Sequence, residues 1–224
     1  MLRLLSQMYM KKASGAAFTF ILFVALSSVL VKFVSPYSDD LRGAVHLERG
    51  GQHPSLKHWF GTDAAGRDLF TLTIYAGLSS LKVATAVVLL SIIIGVPIGM
   101  FSGVSSKNTD EVLMRIVDGF LAFPPLMLPL IITSVLGPSL NNVIIGISIS
   151  WFPWYVRIAR SQAMIILSSG YVSVSKSMGA GKLHIIKKHI FPNGIGSILV
   201  QGTIDAGYAI LTAAGLSFIG LGAR

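Results

Sequence analysis

Charged residues are scarce in this chain, and cysteine is absent. Of its 224 residues, 12% are charged and 53% are hydrophobic, whereas a soluble domain carries about 25% charged residues. Without cysteine, neither a disulfide framework nor a thiolate metal site can form. Acidic residues are the rarer sign, with 9 Asp and Glu against 18 Lys and Arg. In a soluble protein this excess would suggest nucleic acid as a partner, but here it favours basic loops beside a membrane.

Long uncharged stretches predict helices that span a membrane. A crossing takes about 20 mostly apolar residues, because the hydrocarbon core is roughly 30 Å thick and a helix rises about 1.5 Å per residue. Backbone groups in lipid must bond within their own segment, which makes helices the default. Five segments qualify: 16–34, 83–101, 116–136, 140–156 and 195–221. The sequence therefore predicts an all-α, polytopic transmembrane helix bundle with five spans.

The first span follows basic residues, as a signal peptide would. Its apolar run is long for that, and no clear small-residue cleavage site follows it. We therefore expect an uncleaved membrane anchor over 16–34.

The distribution of Lys and Arg predicts the orientation, because cytoplasmic loops carry an excess of both. With segment 1–15 in the cytoplasm, the inner loops would hold Arg3, Lys11, Lys12, Lys107, Arg115, Arg157, Arg160, Lys176, Lys182, Lys187 and Lys188. The outer loop, 35–80, would hold Arg42, Arg49, Lys57 and Arg67. We therefore expect a cytoplasmic N-terminus, an extracytoplasmic loop over 35–80, and a transmembrane core over 81–222 that contains a cytoplasmic loop at 157–193. Five spans would place Arg224 outside.

The inner loop, 157–193, is basic and partly apolar. A glycine-rich interruption at 179–181 predicts a helix, a turn and a second helix, and Pro192 is expected to end the second helix. A basic amphipathic pair of this kind suits either an anionic lipid surface or a protein partner, and composition does not decide between them.

Four stretches carry a family resemblance. The outer loop contains HWFGTDAAGRD at 58–68, and the third predicted span contains DGFLAFPP at 118–125. The inner loop ends with IFPN at 190–193, and the last span with LSFIGLG at 216–222. In this order they resemble the inner-membrane permeases of binding-protein-dependent ABC importers, in the dipeptide, oligopeptide and nickel branch. The resemblance implies the type I importer permease fold. In the outer loop, the residues that match the family's signature include Gly61, Thr62, Asp63, Gly66, Arg67 and Asp68.

The resemblance also implies partners. Such a chain pairs with a second permease subunit to form the membrane pathway for peptides, nickel or metal chelates. Two cytoplasmic ATPase subunits would dock beneath the pair, an extracytoplasmic solute-binding protein would deliver the substrate, and lipid would surround the spans. The resemblance implies no cofactor, catalytic residue or metal site in this chain. The contact with the ATPase would be made by Met178, Gly179, Ala180, Gly181, Lys182 and Leu183. Met178 and Leu183 would fill the ATPase groove, and Gly179 would supply the tight backbone; otherwise Gly179 and Gly181 merely end a helix.

The chain departs from the family pattern in two places. The inner loop is named for Glu-Ala-Ala, but the matching positions hold Ser173, Val174 and Ser175. Family members also usually continue into a sixth helix, whereas this sequence stops at Arg224. The sequence therefore leaves two functions open: a transporting permease subunit, in a truncated or frameshifted chain, and a non-transporting membrane scaffold or sensor.

Asp205 and two prolines are candidates for the translocation path. A charge within the fifth span is costly, so Asp205 is expected either to face a path or helix contact, or to be protonated or paired with a polar group of a neighbouring helix. Pro124 and Pro125, with Pro129, are expected to kink the third helix, and such breaks either line a path or are simply tolerated. Gly95, Pro97 and Gly99 of the second span likewise either line a path or are simply tolerated. Small residues there also permit close helix packing.

Other chemistry is weakly indicated. We expect Arg115 and Asp118 to form a local ion pair, and Arg157 and Arg160 to anchor the fourth span near the head groups. The outer-loop histidines, His46, His53 and His58, match no metal motif. The sequence GAGK at 179–182 lacks the first glycine and the final Ser or Thr of a phosphate-binding loop. An intramembrane serine protease would need a histidine within a span, but all five histidines lie outside the predicted spans. We therefore expect a transport subunit and not an enzyme.

Overall fold

Helices account for most of the computed structural model, which describes residues 12–222 of the chain. Segment 1–11 of the predicted cytoplasmic N-terminus, and Arg224 with its predicted outer location, fall outside the described residues. The helices are α1 (Lys12–Val34), α2 (Leu69–Gly103), α3 (Lys107–Leu121), α4 (Met127–Leu136), α5 (Leu140–Leu167), α6 (Gly170–Ser177), α7 (Lys182–Ile185) and α8 (Phe191–Phe218). Two short 3₁₀ helices, Ser38–Arg42 and Leu47–Arg49, lie in the segment between α1 and α2. An isolated antiparallel bridge joins Thr62 to Asp68 in the same segment.

The chain divides into two compact units, 1–82 and 83–224, and the boundary between them falls at a position within α2. The first unit contains α1, the segment between the helices and the beginning of α2. Helix α1 is apolar on every side, and only 6% of its most apolar window is buried within the chain. An apolar surface exposed all round needs an apolar surrounding, as a bilayer provides.

Helix α5 is the centre of the second unit. Gly95, Gly99 and Gly103 of α2 lie against its backbone and small side chains at intervals of one turn. On another side, Gly146 of α5 lies against α4, where an added β-carbon would come 3.1 Å from the Pro129 carbonyl oxygen. The predicted use of small residues for close packing therefore matches the observed seam between α2 and α5.

The hydrophobic core of the second unit forms two clusters, and α5 contributes to both. The first joins α5 to α6, α7 and the beginning of α8, and its buried members include Met100, Tyr155, Val172, Ile185 and Ile198. The second joins α5 to the later part of α8 and to the beginning of this unit, and it includes Val83, Val143, Ile147, Ala209 and Leu216. These clusters fix α6, α7 and α8 against α5.

The all-α transmembrane bundle is confirmed. Among the described residues, three helices are long and apolar enough to cross a membrane by length and composition: Gly15–Val34, Leu69–Gly103 and Lys182–Phe218. They contain the predicted first, second and fifth spans, except that the fifth was extended to 221. The predicted fourth span, 140–156, is the first part of α5, which continues to Leu167.

The predicted third span, 116–136, is divided in the structure. Its first residues belong to α3 and its last to α4, with a break at 122–126. Adjacent prolines, Pro124 and Pro125, explain the break, because proline lacks the amide hydrogen that a helix interior needs and disfavours helical backbone in the residue before it. Pro129 is tolerated near the beginning of α4, where amide hydrogens have no partner within the helix.

Pro192 does not end a helix, contrary to the prediction. The chain is helical without interruption from Lys182 to Phe218, and Pro192 lies at the beginning of α8. A π-helical turn, Ile186–Ile190, directly precedes it. Such a turn changes the local bonding pattern and lets a helix accommodate a proline that would otherwise clash with the preceding turn.

Candidate functional site

Asp205, in the middle of α8, is held by two hydrogen bonds. The Tyr155 hydroxyl of α5 donates to its Oδ2 atom at 2.7 Å, and the Gln201 amide donates to its Oδ1 atom at 2.9 Å. Tyr155 is fully buried, whereas Asp205 keeps part of its surface exposed. Asp205 is therefore paired with a polar group of a neighbouring helix, as one alternative expected, and it also borders open space.

That open space is a cavity of about 530 Å³ between α5, α8 and the break after α3. Its wall contains three aromatic side chains, and its lining residues are Pro125, Leu126, Trp151, Trp154, Ile158, Gln201, Asp205, Tyr208 and Thr212. A smaller cavity of about 190 Å³ adjoins it and shares Pro125, Trp151 and Trp154. Pro124 and Arg157 line the smaller cavity. The structure thus brings all three predicted path residues, Pro124, Pro125 and Asp205, to one pair of adjoining cavities.

Two ion pairs connect α3 to α5. Arg160 donates from Nε and Nη2 to the two carboxylate oxygens of Asp110, each at 2.6 Å, and Arg157 Nη2 donates to Asp118 Oδ1 at 2.6 Å. The predicted pair of Arg115 with Asp118 is wrong, because Arg115 instead lies 3.5 Å from Glu111, one turn away. The prediction that Arg157 and Arg160 anchor the span at the head groups missed that each has a carboxylate partner on α3.

Asp110 is the better enclosed of the two carboxylates. The bidentate bond from Arg160 lowers the pKa of Asp110 despite the opposing effect of partial burial, and the Ser102 hydroxyl and the positive charge of Arg160 add to the lowering. Asp110 is therefore ionised throughout the physiological range, and the pair joins the beginning of α3 to α5 in a fixed geometry.

The turn between α6 and α7 has a defined backbone. Gly179 has φ of +85°, and the Gly179 and Ala180 amides donate to the Lys176 and Ser175 carbonyls. This is the Schellman arrangement, which ends a helix with a left-handed residue. Gly181 follows as the N-cap of α7 with extended backbone. Gly179 thus ends a helix, as that interpretation expected, whereas Gly181 begins one; neither observation decides whether the turn also docks a partner.

The solvent-exposed surface of this turn and of the adjoining helix α6 includes large apolar side chains. Tyr171, Val174, Met178 and Leu183, here called the coupling patch, have exposed fractions of 50, 61, 82 and 64%. The opposite side is anchored, because Val172 and Ile185 are buried in the core and Ala180 contacts it. Lys176, Lys182, Lys187 and Lys188 of the same segment are exposed as well. A turn that presents exposed apolar side chains on a segment with exposed lysines has the composition of a docking surface.

Ser175 occupies the last of the three positions where the resemblance led us to expect Glu-Ala-Ala. Its hydroxyl lies 3.2 Å from His189 Nε2, which joins α6 to the π turn before α8. The Tyr171 ring also lies against His189, with 5.7 Å between ring centroids. A hydroxyl–imidazole hydrogen bond and a ring contact therefore link α6 to the π turn here.

The outer-loop signature folds upon itself. Asp63 Oδ1 accepts from the amides of Ala65 and Arg67, and its Oδ2 accepts from the Arg67 guanidinium at 2.8 Å. The Thr62 hydroxyl donates to the Arg49 carbonyl and accepts from the Gln52 amide. Partial burial opposes ionisation of Asp63, but the bonds and charge of Arg67 and the Ala65 amide together lower its pKa. These side chains hold the loop together.

Asp68 fixes the end of the signature to α2. Its Oδ2 atom accepts from the Thr71 amide at 2.8 Å, and its Oδ1 atom lies 2.9 Å from His58 Nδ1. The Asp68 amide donates to Asp40 Oδ2, and Asp40 Oδ1 lies 3.2 Å from His46 Nε2. Gly61 and Gly66 both have positive φ and lie against the Gln52 and His46 carbonyls, so only glycine fits. His58 and His46 are thus bonded to carboxylates, and within residues 12–222 no three His, Asp or Glu side chains are grouped as metal ligands.

Several residues of these sites were missed from the sequence. Gln201 lies one turn before Asp205, a spacing at which helical side chains meet, so its contact was open to prediction. Tyr155, Trp151 and Trp154 gave no such signal, because their role depends on how α5 lies against α8. Asp110 was likewise missed, since its partner is 50 positions away.

Together, the apolar helices and the broken helix beside a cavity that contains Asp205 are features of a multi-pass membrane protein. The chain belongs to the family of binding-protein-dependent transport system inner membrane components, whose model matches residues 95–224. It is therefore a permease component of an ABC importer and not an enzyme.

Individual relatives support the assignment. The chain is 38% identical to a probable D,D-dipeptide transport system permease protein of Escherichia coli, over 96% of this chain and 72% of the relative. It is 40% identical to a dipeptide transport system permease protein of Alkalihalophilus pseudofirmus, over 77% of this chain and 57% of the relative. It is 32% identical to a glutathione transport system permease protein of Pectobacterium atrosepticum, over 93% of this chain and 69% of the relative. The chain thus spans between 57 and 72% of the length of these relatives.

Proposed function

We propose that this chain forms one half of the translocation pathway of a peptide importer and is energised by separate ATPase subunits. The names of the relatives carry the substrate class, since they refer to a dipeptide, a D,D-dipeptide and glutathione, which are all short peptides. The observation that carries the mechanism is the coupling patch on a turn held rigidly against the core.

The proposed partners follow from the surfaces of the two units. Two cytoplasmic ATPase subunits would receive the turn formed by Met178, Gly179, Ala180, Gly181, Lys182 and Leu183. A second permease subunit and lipid would cover the exposed apolar helices. A solute-binding protein would dock on the outer side, where the segment 35–80 is folded by its signature residues and exposes Leu56 and Trp59.

The proposed topology places segment 1–15 in the cytoplasm, 16–34 in the membrane and 35–80 outside. The transmembrane core would then cover 81–222, with the inner loop at 157–193. The excess of Lys and Arg in the inner segments supports this orientation. The π turn and the coupling patch would both lie on the cytoplasmic side.

Nickel and metal chelates are the weaker alternative for the substrate. None of the three relatives named above refers to nickel. His46 and His58 of the outer loop are each bonded to an aspartate and contribute to the fold of that loop. We therefore propose peptides.

The absence of cysteine makes the proposed docking directly testable, because a single introduced cysteine is the chain's only thiol. Met178→Cys, labelled with a maleimide benzophenone and irradiated in native membranes, is expected to cross-link to a co-purified ATPase subunit. Lys107→Cys is the matched control, since it is exposed at the beginning of α3 on the same proposed side. Equal cross-linking from both positions, or none from position 178, would refute the docking.

Transport is tested with the complete complex in proteoliposomes. With a cognate binding protein and ATP, uptake of radiolabelled dipeptides from a mixed panel is expected, and uptake of ⁶³Ni²⁺ under the same conditions is not. ATP-driven nickel uptake without peptide uptake would replace the proposed substrate. No uptake of either would favour a scaffold or sensor.

A further inference from the structure

The two adjoining cavities differ in the charge that each presents. Asp205 is in the wall of the larger cavity, and Arg157 is in the wall of the smaller. Pro125, Trp151 and Trp154 border both cavities, which together are here called the trough; Asp205 lines only the larger cavity and Arg157 only the smaller. A trough with an anion at one end and a cation at the other is complementary to a molecule that carries both charges.

The surroundings of Asp205 suit an ammonium group. Tyr155 and Gln201 each use one carboxylate oxygen, and each oxygen can accept further bonds. Trp154 and Tyr208 border the same space and are more than half exposed. Faces of aromatic rings attract cations, and a carboxylate among them strengthens that attraction.

The surroundings of Arg157 suit a carboxylate. Its bond to Asp118 uses one N–H of Nη2, and a guanidinium carries five such donors in a planar fork that matches carboxylate geometry. Its side chain is half exposed and contributes to the wall of the smaller cavity. A second carboxylate can therefore bind to Arg157 while the pair with Asp118 stays in place.

From this arrangement we infer that the trough binds short zwitterionic peptides during passage, with the peptide ammonium at Asp205 and the peptide carboxylate at Arg157. The inference rests on the proposed function and deepens it, because it assigns to this chain a recognition of both peptide ends. The aromatic wall between the charged ends then accepts side chains by apolar contact. The volume of the larger cavity lies within the usual range for small-molecule sites.

The experiment uses the complete complex in nanodiscs without binding protein, so that only the membrane site recognises the ligand. A dipeptide that carries a diazirine side chain is irradiated with the complex, and labelled residues of this chain are located by mass spectrometry. Labelling is expected in 151–158 or 201–212, and Ala-Ala is expected to compete for it. N-acetyl-Ala-Ala and Ala-Ala-amide are each expected to need at least about tenfold higher concentration, since each lacks one charge.

Substitutions of this chain test which residue binds which end of the peptide. Asp205→Asn is expected to abolish the discrimination against the acetylated peptide and to preserve that against the amide. Arg157→Gln is expected to do the reverse. Asp118→Asn is the matched control, because it removes the partner of Arg157 but leaves the guanidinium, and both discriminations should persist. If Arg157→Gln and Asp118→Asn act alike, Arg157 serves only to join α3 to α5.

Labelling that is absent from the trough, or equal competition by all three peptides, overturns the inference. Uptake in proteoliposomes separates this failure from failure of the proposed function. If peptides are transported without discrimination in the trough, the importer stands and the recognition site falls. If no peptide is transported, both fall.

Discussion

Gly99 of α2 lies so close to Ala159 of α5 that a β-carbon built on the glycine would come 2.8 Å from the Ala159 β-carbon. The same glycine also lies against the Val156 carbonyl, and Gly103 repeats the contact with Ala163 one turn later. Within a membrane, helix association depends on such close contact, because lipid tails are as apolar as the helices themselves. The seam between α2 and α5 therefore contributes directly to the stability of the second unit.

Gly99→Ala is expected to destabilise the protein by about 1–3 kcal/mol, because the added methyl group forces the two helices apart. Gly207→Ala is the matched control, since an added β-carbon there meets no atom within 4 Å. In a helix, that control substitution should be neutral or stabilising by up to about 1 kcal/mol. Thermal unfolding of the detergent-purified complex compares the two, and equal unfolding temperatures would contradict the importance of the seam.

The ion pair of Asp110 with Arg160 should contribute more to the free energy of unfolding than the ion pair of Glu111 with Arg115. The former is bidentate and largely enclosed, whereas the latter lies on the surface, with exposed side-chain fractions of 59 and 78%. Asp110→Ala is expected to cost about 1–3 kcal/mol, and Glu111→Ala less than about 0.5 kcal/mol. A double-mutant cycle of Asp110→Ala with Arg160→Ala measures the coupling. A coupling energy near zero would show that the pair is incidental.

Gly179→Ala is expected to strain the turn, because alanine pays about 1–2 kcal/mol for left-handed backbone. Gly181→Ala provides the control, as that residue has φ of −73° and open surroundings. On the proposed function, the strained turn should raise the ratio of ATP hydrolysed to peptide transported, and the control should leave it unchanged. Identical ratios for both variants would show that the left-handed residue has no part in coupling.

The contribution of Asp63 to the outer loop should depend on pH in a defined direction. The pKa of Asp63 in the folded protein is lower than its ordinary value of 3.8. Its contribution is therefore fully present above that value and is lost as the pH falls through the lower, folded pKa. The wild type should unfold at a higher temperature than Asp63→Asn at neutral pH, and the difference should stay constant down to about pH 5.

Below the ordinary value of 3.8, this difference should shrink. Asp63→Asn is compared with the wild type at the same pH, so that contributions common to both proteins cancel. A difference that already disappears between pH 7 and 5 would contradict the lowered pKa of Asp63.

The sequence was most informative where a property belongs to one segment. Apolar runs predicted the helices, and the glycines of the inner loop predicted its turn. Asp205 was suspected because a carboxylate within an apolar span is costly whatever its neighbours are. Each of these conclusions needs only local chemistry.

Properties that depend on the packing of distant segments were harder to predict. Arg115 was expected to pair with Asp118 because the two are close along one helix. Asp118 instead bonds to Arg157 of α5, and Arg115 lies near Glu111. Pro192 was expected to end a helix, since sequence rules do not foresee a π turn that accommodates it. The buried bond from Tyr155 to Asp205 likewise became visible only once α5 and α8 lay side by side.

The helix that follows the turn is uninterrupted from Lys182 to Phe218, so it connects the turn directly to the region of Asp205. Leu183 lies near its beginning, and Asp205 lies about 33 Å further along the axis at roughly 1.5 Å per residue. A tilt of about 10° at the turn would therefore sweep the carboxylate sideways by about 6 Å if the rod moved as one piece. The π turn near its beginning is the place where such a rod bends most readily. The stiffness of this helix thus sets how much of a displacement near Leu183 is transmitted to the cavity.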